Sequence, residues 1–147
     1  MHFSAQEAYG LRCVMQLARN YNGDAVTAKQ ISESEMISLD YVHKLLGILK
    51  RRGLIESRRG INGGFRLSNE PGRISVHDVL EKLLSELNAE GHCAKYNRSG
   101  VKCPWWGKCE IKPFLDTAFD FCEKLSSRVT LQDLLDRRLP RIEVKIC

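Results

Sequence analysis

The segment from Ser38 to Gly53 restricts the fold more than any other part of this 147-residue chain. Val42, Leu45, Leu46 and Leu49 recur every three or four residues, the spacing of one buried helix face. Lys50-Arg51-Arg52-Gly53 then closes the helix, because basic residues complement the C-terminal end of the helix dipole and glycine tolerates a left-handed cap. Ser38 stands at the N-cap, and Asp40, Tyr41, His43, Lys44 and Gly47 form a polar opposite face. Upstream, Thr27 is a suitable N-cap for a short helix through Ser32 with Ala28 and Ile31 inward, followed by a turn from Ser34 to Ile37. Two helices joined by a tight turn, the second with a polar outer face, predict a helix-turn-helix whose second helix enters a major groove.

Two short strands follow, Leu54–Ser57 and Phe65–Leu67, around Arg58-Arg59-Gly60-Ile61-Asn62-Gly63-Gly64. Gly and Asn permit the positive backbone angles of a tight hairpin, and two arginines at its tip repel one another unless an anion lies beside them. This hairpin reads as a wing that contacts phosphate or a minor groove. The charge distribution agrees. Seven basic residues (Lys44, Lys50, Arg51, Arg52, Arg58, Arg59 and Arg66) and one acid, Glu56, lie between Tyr41 and Arg66, a local charge of +6 on a chain of net charge +5. A basic patch on an otherwise balanced chain is the footprint of a polyanion, here nucleic acid.

The remaining elements frame this unit. Ser4 with Glu7 three residues on is a capping-box signature, and Ala8, Leu11, Met15 and Ala18 continue a first helix to about Arg19. After a turn around Gly23 and the helix-turn-helix, an amphipathic helix is expected from Val76 to Leu87 with Val79, Leu80, Leu83 and Leu87 inward. Residues 88–112 are too rich in turn formers for regular structure, and a loop of that length usually has a function. Pro113 opens a long helix whose Phe114, Leu115, Ala118, Phe121, Cys122, Leu125 and Val129 form a stripe suited to pairing with its twin, since helix-turn-helix proteins bind half-sites through two-fold symmetry. Thr130 caps a last helix ending at Pro140. The expected class is mainly α with a small β wing, divided into a winged helix-turn-helix (1–87), a cysteine-rich loop (88–112) and a dimerisation helix with its tail (113–147).

Six cysteines in a chain with no secretion signal argue for metal or redox chemistry over disulfides. The N-terminus lacks a basic region followed by an apolar one, and no apolar run approaches spanning length, so a cytoplasmic location without a membrane partner is expected. Cys93, Cys103 and Cys109 lie in the irregular loop, where backbone can wrap an ion and aim several sulfurs inward, as a soft metal or an iron-sulfur cluster requires. Cys13 and Cys122 fall on apolar helix faces and read as core thiols, and Cys147 is the last residue. No nucleotide-binding glycine pattern and no convincing nucleophile–base pair is present, so an enzyme is not expected.

Tyr9-Gly10-Leu11-Arg12, Ile37-Ser38-Leu39-Asp40-Tyr41, Leu54 to Gly60 running into Gly63-Gly64-Phe65, the cysteine loop and Val129-Thr130-Leu131 together resemble the IscR/NsrR family of winged-helix transcription regulators. The resemblance covers nearly the whole chain. It implies a homodimer that binds a pseudo-palindromic double-stranded DNA operator and ligates an iron-sulfur cluster, 2Fe-2S or 4Fe-4S, through Cys93, Cys103 and Cys109 near the dimer interface. The cluster would report redox, iron-sulfur or nitric oxide status, and some related regulators carry none. The chain departs from the pattern in its longer first cysteine gap of nine residues. It also has Lys112 where some members place a ligating histidine, and Ala8, beside Glu7, where others recruit an acid.

The fourth-ligand candidates are Glu7, from either subunit, and His92, while Glu7 is equally a helix cap. Trp105 and Trp106 are placed either to shield a cluster or to pack the loop onto the body. Tyr41, His43 and Lys44 are candidates for base reading or for phosphate contact. Ser38 belongs to the same surface, Arg59 is the minor-groove candidate, and Arg58 and Lys50 are phosphate contacts. Structural zinc or a thiol switch fits the same cysteines, and a small redox protein or cluster carrier is the reading from another class.

Overall fold

The computed structural model describes residues 4–83 and 103–139. Helix α1 (Ala5–Arg19) begins with the expected capping box: the Ser4 amide donates to Glu7 Oε2 at 2.6 Å and the Glu7 amide to Ser4 Oγ at 3.3 Å. Its Cys13, Val14 and Leu17 enter the core. Helix α2 (Ala28–Glu35) starts on a second capping box, Thr27 with Gln30, and runs three residues past the expected end at Ser32. The cause lies in α1. Arg12 Nε donates to the buried Glu35 carboxylate at 2.6 Å, Gln16 Nε2 donates to its other oxygen, and Arg19 Nη1 stands 3.7 Å away. An acid opposes the dipole at a helix C-terminus, and these α1 groups offset that cost.

Met36 takes the left-handed conformation (φ 54°) and turns the chain into α3 (Leu39–Arg51). Val42, Leu45, Leu46 and Leu49 of α3 are fully buried, as their spacing requires. Ser38 occupies the N-cap, but its side chain makes no capping bond and stays exposed, a correction to the capping role expected of it. Gly53 (φ 73°) closes the helix, its amide donating to Lys50 O.

Strands β1 (Ile55–Arg58) and β2 (Gly64–Leu67) pair antiparallel, with Ile55 opposite Leu67 and Arg58 opposite Gly64. They lie one residue from the expected bounds. Phe65 also exchanges two backbone hydrogen bonds with Val26, so the residue before the N-cap of α2 forms an isolated bridge on the outer side of β2. This bridge explains the glycines differently from the sequence reading. Of the tip glycines only Gly60 has positive φ (112°); at Gly64 a Cβ would lie 2.7 Å from the Val26 carbonyl oxygen, and at Gly63 2.7 Å from that of Gly60. Close backbone approach, not a left-handed turn, requires glycine at 63 and 64.

A 3₁₀ turn (Pro71–Arg73) leads to α4 (Val76–Leu83), whose Val79 and Leu83 are buried. The expected continuation to Leu87 lies outside the described residues. Gly10 lets α1 press against α4, since a Cβ there would collide with the Leu83 methyl groups. Helix α5 (Lys112–Arg128) packs on α4 yet buries none of its own residues. It ends one residue before Val129, which is buried beside a bridge between Ser75 and Thr130 and so leaves the expected dimerisation stripe. Helix α6 (Leu131–Leu135) is shorter than expected, with Arg137 left-handed two residues after its end. Bonds from the Thr130 hydroxyl and amide hold the Asp133 carboxyl below the usual carboxylate range.

Replacing Gly64 by Ala should destabilise the fold by about 1–3 kcal/mol, because the new methyl group meets backbone that cannot step aside. Gly23→Ala, where the nearest atom is 3.6 Å away, should stay within about 0.5 kcal/mol of the parent. Urea unfolding midpoints of the two variants check the contrast.

Candidate nucleic-acid interface and cysteine loop

The buried stripe of α3 leaves Asp40, His43, Lys44, Lys50 and Arg51 exposed. His43 and Lys44 therefore lie on the outer face of α3, with Asp40 one turn before them on the same face. Tyr41 is placed differently. It lies on the flank of α3, half-buried, with its ring edge-on to Tyr9 of α1 (centroids 6.1 Å apart, planes at 90°). Lys44 Nζ lies 5.9 Å from the Tyr41 ring and Arg12 Cζ 5.9 Å from that of Tyr9. Tyr41 thus ties α3 to α1 while its neighbours face outward.

The wing and α3 form one basic surface because Lys50 Nζ donates to Ser57 Oγ of β1 at 2.6 Å. Arg58 pairs with Glu56 at 3.8 Å, an exposed contact of small energy, whereas Arg59 has no ion pair among the described residues. Arg66 does not belong to this surface. Its Nη2 donates to the Gly23 carbonyl at 2.6 Å and its Nε is buried, so it fastens β2 to the loop after α1. Arg51 and Arg52, counted in the basic patch but not singled out as contacts, are both exposed at the end of α3. Arg51 lies along the helix over Gly47, where a Cβ would be 3.5 Å from Nη1; the four-residue spacing of Gly47 and Arg51 was the available signal.

Cys103 and Cys109 are half-buried and open two successive turns in the segment before α5. The Cys103 carbonyl accepts from Trp106 N at 3.0 Å, the Cys109 carbonyl from Lys112 N at 3.4 Å, and Gly107 supplies the left-handed bend between them. Thiols are the donor type that a soft metal takes. Cys93 and His92 lie outside the described residues, and no group of three metal-binding side chains forms among the described ones. Among the described residues Trp105 and Trp106 are exposed, with about two thirds of each surface open (64% and 65%). The Glu7 carboxylate is buried and engaged in the α1 cap. Lys112, at the family's histidine position, pairs with Asp116 at 2.6 Å. Cys13 is a core thiol: burial, reinforced by the charge of Glu35, pushes its pKa up to about 11. Cys122 is half-buried on α5. Among the described residues no helix is long and apolar enough to cross a membrane.

Alkylation of the folded metal-free protein at pH 8 should leave Cys13 unmodified while Cys103 and Cys109 react, since the first is both inaccessible and protonated. Peptide mass mapping before and after denaturation checks this. On DNA, Arg59→Ala and Arg58→Ala should each flatten the salt dependence of binding by about one unit of log-log slope if the side chain neutralises a phosphate. An unchanged slope removes that arginine from the interface.

A family model described as an iron-dependent transcriptional regulator, Rrf2, matches residues 3–137. The chain is 28% identical over 135 residues to protein rrf2 of Nitratidesulfovibrio vulgaris, covering 92% of this chain and 87% of that protein. It is also 28% identical over 135 residues to the HTH-type transcriptional regulator NsrR of Shouchella clausii, covering 92% and 89%. Among solved structures, T. potens IscR matches with a TM-score of 0.76 at 25% identity, over 93% of this chain and 88% of that one. The chain is accordingly a DNA-binding transcriptional regulator rather than an enzyme, and it belongs to the Rrf2 family.

Proposed function

We propose that the protein is a homodimer that binds a pseudo-palindromic operator and senses redox, iron-sulfur or nitric oxide status through an iron-sulfur cluster on Cys93, Cys103 and Cys109. The observation that carries the reading is the position of Cys103 and Cys109, on turns that run directly into a helix with no buried residue of its own. Phe114 of that helix is 73% exposed, and Ile111 just before it is also bare, an apolar surface that a twin helix would cover. The chain then divides as its sequence suggests, with a DNA-reading part to 87, a ligating loop over 88–112 and a dimerisation part from 113. A bound cluster would supply a redox-active, nitric-oxide-reactive group. The chain's own contribution is to hold the thiols where their ligation bears on the placement of α5, and through the dimer on the spacing of the two α3 helices.

In this reading His43 and Lys44 read base edges, Ser38, Lys50 and Arg58 hold phosphates, Arg59 enters the minor groove, and Tyr41 orients α3. The fourth ligand is His92 or Glu7, the latter from the same or the partner subunit; the α1 cap bonds one Glu7 oxygen and leaves the other for a ligand. Zinc suits three thiolates with one further ligand equally well, so the metal itself has to be measured.

Anaerobic purification should give a coloured protein containing iron and sulfide in comparable amounts. Zinc alone would replace the cluster with a structural site, and bare thiols would point to a thiol switch. Cys103→Ser should lose the iron and change operator affinity at least several-fold. Loss of iron with operator affinity and its redox response intact would overturn the coupling.

A further inference from the structure

The wing carries one residue that neither core packing nor charge explains. Ile61 at its apex is fully exposed. The tip that presents it is tightly folded: Gly63 N donates to Gly60 O at 2.9 Å, and a Cβ at Gly63 would lie within 2.8 Å of both the Gly60 and the Arg58 carbonyl oxygens. Beside it are Arg59, unpaired among the described residues, and Asn62, also exposed. The Lys50–Ser57 bond and the Phe65–Val26 bridge anchor the hairpin at its base.

We propose that Ile61 is an apolar wedge that enters the minor groove of the operator, partly unstacks one base step and bends the duplex. The inference rests on the reading of the wing as a minor-groove contact and adds to it a deformation of the DNA. A single branched apolar side chain flanked by Arg and Asn is the combination with which minor-groove proteins pry open a step while cations hold the phosphates and read groove width. A protein partner would call for a contiguous apolar patch, and Ile61 has only polar and charged neighbours at the tip. Unstacking is least costly at pyrimidine–purine steps, so the wedge would confer preference at a position that no hydrogen bond reads.

The test uses the full chain and an operator duplex selected from a random pool, end-labelled for fluorescence energy transfer. Ile61→Ala should weaken binding about tenfold and reduce the bend, with the salt slope unchanged because no charge is lost, and Ile61→Leu should retain both. The exposed position makes a folding defect avoidable, and equal unfolding midpoints of the variants verify that. If Ile61→Ala binds and bends like the parent while Arg59→Ala weakens binding, the wedge is wrong and the wing contact stands. If both variants bind like the parent, the wing reading fails and takes the wedge with it. A change in sedimentation on Ile61→Ser with the bend preserved would assign the residue to a protein interface and also overturn the proposal.

Discussion

Glu35 ends α2 with a buried carboxylate, and the side chains of Arg12, Gln16 and Arg19 converge on it from α1. Arg12 also reaches the Glu35 carbonyl at 3.3 Å, so one guanidinium serves both the side chain and the last turn of the helix. Arg12 and Arg19 are about half exposed, and water screens their attraction, but a buried carboxylate left without them would be costly. The consequence is geometric. With α2 held to Glu35, the chain reverses at left-handed Met36 and α3 starts at Leu39, which sets the outward face of α3 relative to α1. The edge-on pair of Tyr9 and Tyr41 braces the same junction from the other side.

The wing is fixed by different means. Its strands are short and its own apolar content is small, so its placement comes from contacts outside the hairpin: Lys50 to Ser57, Arg66 to the Gly23 carbonyl, and Val26 to Phe65. These contacts hold the base of the hairpin against the end of α3 and the segment after α1, and leave the tip with Arg59 and Ile61 exposed. Such rigidity would serve the proposed recognition of DNA by helix and hairpin together, because a misplaced contact group must be reordered at the expense of affinity.

The other end of the described chain is tied by the Ser75–Thr130 bridge and by Leu131, which is fully buried in the main core. Helix α5 is thereby fastened at its C-terminal end and laid against α4, while Cys103 and Cys109 lie on the turns that precede its N-terminus. Any force on those turns acts on a helix anchored at its far end.

The sequence by itself determined the elements whose causes are local. The capping pair Ser4–Glu7, the Thr27 cap, the buried stripe of α3 and its closing glycine follow from residues within a turn or two of each other, so they could be read directly. The family was legible for the same reason, as ordered motifs along the chain. Tertiary structure decided what depends on residues far apart in sequence. The length of α2 waits on Arg12, the need for glycine at 64 on Val26, the removal of Arg66 from the basic face on Gly23, and the burial of Val129 on the strand-like segment at Ser75. It also moved Tyr41 from the outer face of α3 to its flank, where Tyr9 meets it. Helical period and cap chemistry act over about four residues, whereas these outcomes arise from backbone and charges that meet only after the chain has folded.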